Sequence, residues 1–174
     1  VRQEFVDGSL FAMPGSTLIH NKIAGGLYAA LLPAAEARGC RLFISDVIVR
    51  TPNGNGLYPD VFLTCDSSAD SSRVIHRPRV VVEVLSPDTE VFDRGEKWLA
   101  YQELASLEQY VLLWHNEPVA EVYSRIGSSQ KWWYDDLNLQ DTLVIETLQY
   151  GVRLADLYAH LRSVAKLEPQ NETD

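Results

Sequence analysis

The run Val80-Val81-Val82-Glu83-Val84-Leu85 constrains this chain more than any other stretch. Its β-branched, almost wholly apolar character reads as a strand covered on both faces of a sheet. One carboxylate, Glu83, sits inside it. A buried anion is costly unless a cation or hydrogen-bond donors meet it. The run supplies neither, so another segment must, and a metal ion is one candidate.

A second carboxylate opens the apolar run Leu57-Tyr58-Pro59-Asp60-Val61-Phe62-Leu63. Proline is tolerated at a strand start, where its missing N–H is not needed. If the two strands are neighbours, Asp60 and Glu83 bring their carboxylates to one point, where a divalent cation would stabilise both ionised forms. After the first strand, Ser86-Pro87-Asp88-Thr89 caps a helix expected from about Glu90 to Leu104. Asp93, Lys97 and Tyr101 fall four apart on one face of it. Gly95 inside that helix costs about 1 kcal/mol against alanine, which points to close packing there.

Pro59-Asp60, then Glu83-Val84-Leu85-Ser86-Pro87, then Asp93-Arg94-Gly95-Glu96-Lys97 with Tyr101, resemble the PD-(D/E)xK nuclease superfamily and more closely its Uma2 branch, the DUF820 proteins. Glu4-Phe5-Val6-Asp7-Gly8 and Tyr110-Val111-Leu112-Leu113-Trp114 fit the same pattern, so the resemblance covers nearly the whole chain. It implies a single restriction-endonuclease-like α/β domain over residues 1–167, with a central mixed β-sheet flanked by helices and an additional antiparallel β extension. It further implies an endonuclease that uses Mg2+ (or Mn2+) to hydrolyse DNA phosphodiester bonds, with Asp60, Glu83 and the backbone carbonyl of Val84 as metal ligands. The superfamily's lysine, expected two residues after Glu83, is Leu85 here, and Lys97 on the next helix is the substitute. The alternative for Lys97 is a simple salt bridge to Asp93. Glu4, His20 and Tyr101 are auxiliary candidates; the alternative for Glu4 and His20 is a solvated side chain without a role.

Charge bears on partners. The chain of 174 residues carries a net charge of −9, whereas nucleic-acid binders usually show a basic footprint. An acidic metal site needs only a local field, so a nuclease stays open and tight non-specific DNA binding by this chain alone does not. Leu85 and the acidic balance leave two alternatives: a weak or inactive nuclease-fold binding protein, or a metal-dependent phosphohydrolase of small nucleotides. A basic rim around an acidic pocket would favour polynucleotide, and a closed pocket a small substrate. A homodimer is expected, since two sites are the simple way to cut both strands. No apolar run reaches the ~20 residues of a membrane span. Cys40 and Cys65 are isolated, without CxxC or zinc spacing, and read as free thiols of a cytoplasmic protein. Residues 168–174 form an acidic tail expected to be disordered.

The remaining segments read as follows. Gln3 to Met13 alternates around Asp7-Gly8 as a hairpin. Ser16-Thr17 caps a helix carrying Ile19, Ile23, Leu27 and Leu31, with His20 in its first turn and Pro33 kinking or ending it. Arg41 to Arg50 is a strand that forms a hairpin with the one bearing Asp60. Asp66 to His76 is a polar loop; Arg73, His76, Arg77 and Arg79 are the densest basic cluster near the proposed site, read as solvated or else as phosphate contacts. Strands follow around Tyr110–Trp114, Ala120–Ser124, Lys131–Tyr134 and Thr142–Ile145, and a helix over Val152–Leu161 closes the chain. Trp132-Trp133 is assigned to core or dimer contact rather than to stacking on bases.

Overall fold

The computed structural model of the chain describes residues 3–13, 15–67, 73–159 and 161. The tail at 168–174 and the domain boundary at 167 lie outside them. The chain opens with a hairpin of β1 (Gln3–Val6) and β2 (Ser9–Ala12). Its turn residues Asp7 and Gly8 have φ of 47° and 84°, the paired left-handed geometry that matches the twist of a tight hairpin. Helix α1 (Leu18–Ala37) follows; the Thr17 hydroxyl accepts the His20 N–H at its start. The helix runs through Pro33 instead of ending there. Pro33 is exposed, as is Ala29, whose carbonyl would have taken the missing N–H, so water can replace that bond.

Six strands make the central mixed sheet: β3 (Arg41–Ile44), β6 (Val61–Thr64), β8 (Val80–Leu85), β9 (Gln109–Trp114), β10 (Ala120–Arg125) and β11 (Trp132–Leu137). Their order is β11-β10-β9-β8-β6-β3, with β8 and β9 parallel and the other neighbours antiparallel. Alternation along β8 divides the core into two layers. Val80, Val82 and Val84 pack with Ile23, Leu27 and Leu31 of α1. Val81 and Leu85 face the other way, among Phe62, Tyr101, Leu104 and Tyr110. Glu83 shares that second face by parity.

The helical crossover from β8 to β9 lies on this second face. It comprises α2 (Glu90–Phe92), a π-helical turn (Asp93–Lys97) and α3 (Trp98–Gln102), so the expected helix is present but not uniformly α. Gly95 is not there for close packing: a Cβ built on it meets nothing within 4 Å. Its place is inside the π turn.

The segment read as one strand from Arg41 to Arg50 is broken. Ser45 and Asp46, at φ 50° and 60°, turn the chain out of β3, and the Ser45 N–H donates to the Asp60 carbonyl at 3.0 Å. Beyond the turn, β4 (Ile48–Arg50) joins a second sheet of order β2-β1-β5-β4-β7, with β5 (Gly56–Leu57) and β7 (Val74–Ile75). The hairpin that delivers Asp60 is therefore real but bent across two sheets. Val74 and Ile75, assigned to a loop, pair parallel with β4. The closing segment also differs: β13 (Tyr150–Arg153) pairs with β12 (Thr142–Ile145), and only then does α4 (Leu154–Leu157) begin. Trp132 packs on Trp98 at 4.8 Å, in keeping with a core role, while Trp133 is exposed.

The two cysteines are not free. Arg41 pairs with Thr64 across β3 and β6, and one step further the register sets Cys40 opposite Cys65, joined as a disulfide. A cross-strand pairing of this kind depends on register, which cysteine spacing does not reveal. The bond spans a sequence separation of 25, and reducing it should lower stability by about 3 kcal/mol on loop-closure grounds. Thiol counting on the denatured, unreduced protein checks this: no reactive thiol is expected, and two would restore the free-cysteine reading. Among the described residues, no helix is long and apolar enough to cross a membrane.

Candidate active site

Asp60 and Glu83 meet where the β6–β8 ladder ends. Val61 pairs with Val82, so the next position puts Asp60 opposite Glu83. Main chain and side chain then interlock. The Val84 N–H donates to Asp60 Oδ2 at 2.7 Å, and the Asp60 N–H donates to Glu83 Oε2 at 3.3 Å. The carboxylate of Asp60 thus takes over a ladder N–H that no strand partner reaches.

Lys97 arrives from the π turn above the sheet. Its ammonium lies 2.9 Å from Glu83 Oε1, 3.2 Å from Asp93 Oδ1 and 3.2 Å from Glu4 Oε1. An ammonium has three N–H donors, so all three can be engaged by carboxylates. The i,i+4 pair with Asp93 therefore exists alongside the reach back to Glu83. The π turn is fixed from below. The Tyr110 hydroxyl donates to the Asp93 main-chain carbonyl at 2.9 Å, and the Trp98 ring stacks on Tyr110 at 5.1 Å. π turns inside helices are frequent at functional sites. Tyr101, one turn on, donates its hydroxyl to Glu83 Oε1 at 2.9 Å. Glu4 is held by the Tyr58 N–H at 2.7 Å. His20 Nε2 lies 3.0 Å from Asp60 Oδ2, while its buried Nδ1 has no hydrogen-bond partner among the described residues.

Four carboxylates (Glu4, Asp60, Glu83, Asp93) thus surround one ammonium and one imidazole. Burial pushes the Glu83 carboxyl well above its ordinary range; Lys97 counters this, and Asp93, Asp60 and Glu4 add to the rise. Burial pulls the Lys97 ammonium down, but Glu83, Asp93, Glu4 and Asp60 outweigh it and hold the proton on well above the ordinary lysine range. His20 follows the same logic: burial lowers it, and the bond and charge of Asp60, with Asp93, raise it above 6.5 overall. A histidine raised in the fold contributes stability that is fully present below its unfolded value and lost as pH rises through the folded value. In chelator-treated protein, His20→Asn should therefore lower the melting temperature most below pH 6.5 and progressively less above it. Melting curves across pH check this; a difference that grows with pH would show the imidazole to be neutral throughout.

The cluster floors a cavity of about 200 Å3, partly open to solvent. Of the residues expected from the sequence, Glu4, His20, Asp60, Glu83, Val84 and Lys97 line it, and Tyr101 backs Glu83. Leu85 is packed in the second core layer and contributes nothing to the cavity. The basic cluster is not at the site. Arg77 and Arg79 line a different pocket at the far end of β8, where Arg79 is paired with Glu108. Two contributors were not anticipated: Asp93 as a full member of the cluster, and Tyr110 beneath the turn. The spacing of Asp93 to Lys97 carried a signal for the first; the second lies in the Tyr110–Trp114 run that fits the family pattern, but nothing there marks its bond to the helix. Phe11 and Phe92, with ring centres 4.4 Å apart, form an apolar wall.

Comparison with known proteins bears on the family and the fold. The family model Uma2, described as "Putative restriction endonuclease", matches residues 1–156. Two proteins of Synechocystis sp. are similar along much of their length. "Uncharacterized protein slr1290" is 28% identical over 162 residues, covering 92% of this chain and 85% of its own. "Uncharacterized protein sll1609" is 25% identical over 133 residues, covering 74% and 75%. A crystal structure of "a putative nuclease belonging to DUF820" from Anabaena variabilis superposes with a TM-score of 0.75 at 15% identity, over 91% of this chain and 90% of that one. At that identity the likeness establishes the fold.

Proposed function

Since the chain belongs to the Uma2 family, whose fold is that of restriction-endonuclease-like nucleases, we propose that it is a Mg2+-dependent endonuclease hydrolysing DNA phosphodiester bonds at the Asp60–Glu83–Lys97 cavity. The observation that carries this reading is the convergence of Asp60 and Glu83 from neighbouring strands, with the Lys97 ammonium 2.9 Å from Glu83.

The donor set fits a hard divalent cation. Carboxylates outnumber cationic groups around the cavity, and burial makes that imbalance costly. Among the described residues no three His, Cys, Asp or Glu side chains form a ready cage. Mg2+ does not ask for one, since it takes one or two carboxylates and keeps several waters. Asp60 and Glu83, with the Val84 carbonyl, would hold the ion (Mg2+ or Mn2+). When bound, such an ion supplies a water acidic enough to attack at neutral pH and polarises the phosphoryl oxygen. The chain's own groups do the rest. Lys97 places a positive charge where the phosphate gains negative charge, in a low-dielectric site where that charge acts strongly. Glu4 and Asp93 hold Lys97, while Tyr101 and His20 orient Glu83 and Asp60. Two copies acting as a homodimer would bring two such sites together, while the cytoplasmic placement expected from free thiols loses that support, since Cys40 and Cys65 are joined.

A second reading, a phosphohydrolase of small nucleotides, is favoured by one observation: the cavity is recessed, and among the described residues its lining holds no cation beyond His20 and Lys97. Calorimetric titration with Mg2+ or Mn2+ and nicking of supercoiled plasmid, on the wild type and on Asp60→Ala, separate the two. Metal binding and nicking are both expected, and both are expected to vanish in Asp60→Ala. Metal binding without cleavage of either the plasmid or a single-stranded oligonucleotide would move the assignment to the small substrate or to an inactive binding protein. No binding would make Glu83 a structural carboxylate.

A further inference from the structure

We infer that the cavity takes an unpaired DNA strand and not the flank of an intact duplex. The inference rests on the nuclease reading and narrows its substrate. The groups that would meet the scissile phosphate lie at the floor: Glu83 is 2% exposed and Lys97 4%. A duplex is a stiff rod that carries its phosphates along its outside and does not bend into a recess of about 200 Å3 without large deformation. A single strand has free backbone torsions and can thread a phosphate to such a floor.

The walls tell the same story. A surface that tracks a duplex is built on arginines and lysines that replace the counterions of the phosphates. Among the described residues, Lys97 and His20 are the cationic side chains in the lining, and both are engaged by carboxylates. The chain as a whole is strongly acidic, and Arg77 and Arg79 belong to the other pocket. What the walls offer instead is Phe11, Phe92, Tyr58 and Met13. Aromatic faces bind nucleobases by stacking, whatever the sequence, and a base can present its face only when it has left its pair. Apolar side chains on the bounding elements extend this character outwards: Leu18 at the start of α1 is 90% exposed and Val91 of α2 82%.

The test uses one labelled sequence as a single strand, as a blunt duplex and as a duplex with an unpaired tail. Binding is read by fluorescence anisotropy in Ca2+, and cleavage in Mg2+. The single strand and the tailed duplex should bind about tenfold or more tighter than the blunt duplex. Phe11→Leu, which keeps apolar volume but removes the π face, should erase most of that preference. Equal or tighter binding of the blunt duplex, or no binding of the single strand, overturns the inference. Because binding is read without turnover, a strand preference without cleavage in Mg2+ would count against the nuclease reading and leave the strand preference standing.

Discussion

Lys97→Met is expected to cost the protein about 3–5 kcal/mol of stability, the usual effect of removing one member of a buried charge cluster. For a chain of this size that corresponds to a melting temperature lower by roughly 6–20 °C. Methionine keeps most of the volume, so the loss reports charge and not packing. Glu4, Glu83 and Asp93 would each lose their ammonium contact at about 3 Å and stay buried with one another for company. The partners should then take up protons, so part of the loss should be recovered in acid. Urea unfolding at several pH values measures both effects. A loss below about 1 kcal/mol would mean that water reaches the cluster and screens it. Adding Glu83→Gln to Lys97→Met should recover part of the stability, because the two changes share one network.

Glu83→Gln alone is expected to move stability and activity in opposite directions. The carboxyl is pushed upwards chiefly by burial and then by three neighbouring carboxylates, so its charged form is the expensive one. An amide of the same shape keeps an acceptor for Tyr101 and Lys97 and removes one negative charge, leaving Lys97 paired with Glu4 and Asp93, and loses only the long 3.3 Å acceptor of the Asp60 N–H. Without metal, the variant should be as stable as the wild type or about 1 kcal/mol more stable. Its nicking rate should fall by about 10²-fold or more, as when a group that stabilises the transition state is lost. Thermal melts in chelator beside plasmid nicking in Mg2+ check the pair of effects. A variant that is less stable and equally active would make Glu83 a structural anion and leave the chemistry to another group.

Much of this site could be read in the chain before any coordinates. The all-buried character of Val80–Leu85 forced a question about Glu83, and the proline before Asp60 marked the strand start that answers half of it. Helical spacing placed Asp93, Lys97 and Tyr101 on one face, which is how they sit despite the π turn. The misreadings have a common cause, which is that local pattern carries no register between strands. The pairing of Cys40 with Cys65 follows from Arg41 lying opposite Thr64, a long-range fact. The break at Ser45-Asp46 was hidden because neither residue is a glycine, although both take left-handed backbone angles. Tyr150–Arg153 forms a strand because Thr142–Ile145 is there to pair with it. Gly95 shows the opposite error, a packing reason supplied for a residue that meets no neighbour.

The π turn over Asp93–Lys97 also bears on how this centre can be inherited. Such a turn, with its i to i+5 bonds, holds one residue more than the corresponding stretch of α-helix. Losing one codon from Arg94 to Glu96 would let the helix close into regular α geometry. The price would fall on the chemistry, because each residue turns a helix by about 100°, and with Asp93 held by Tyr110 the deletion would turn Lys97 and Tyr101 together away from Glu83. Descendants of such a deletion would keep the architecture and the two core layers while having no aligned lysine to offer a phosphate. In this chain, one residue beyond regular α geometry is what sets an ammonium beside Glu83 while Asp93 keeps its hold on the sheet.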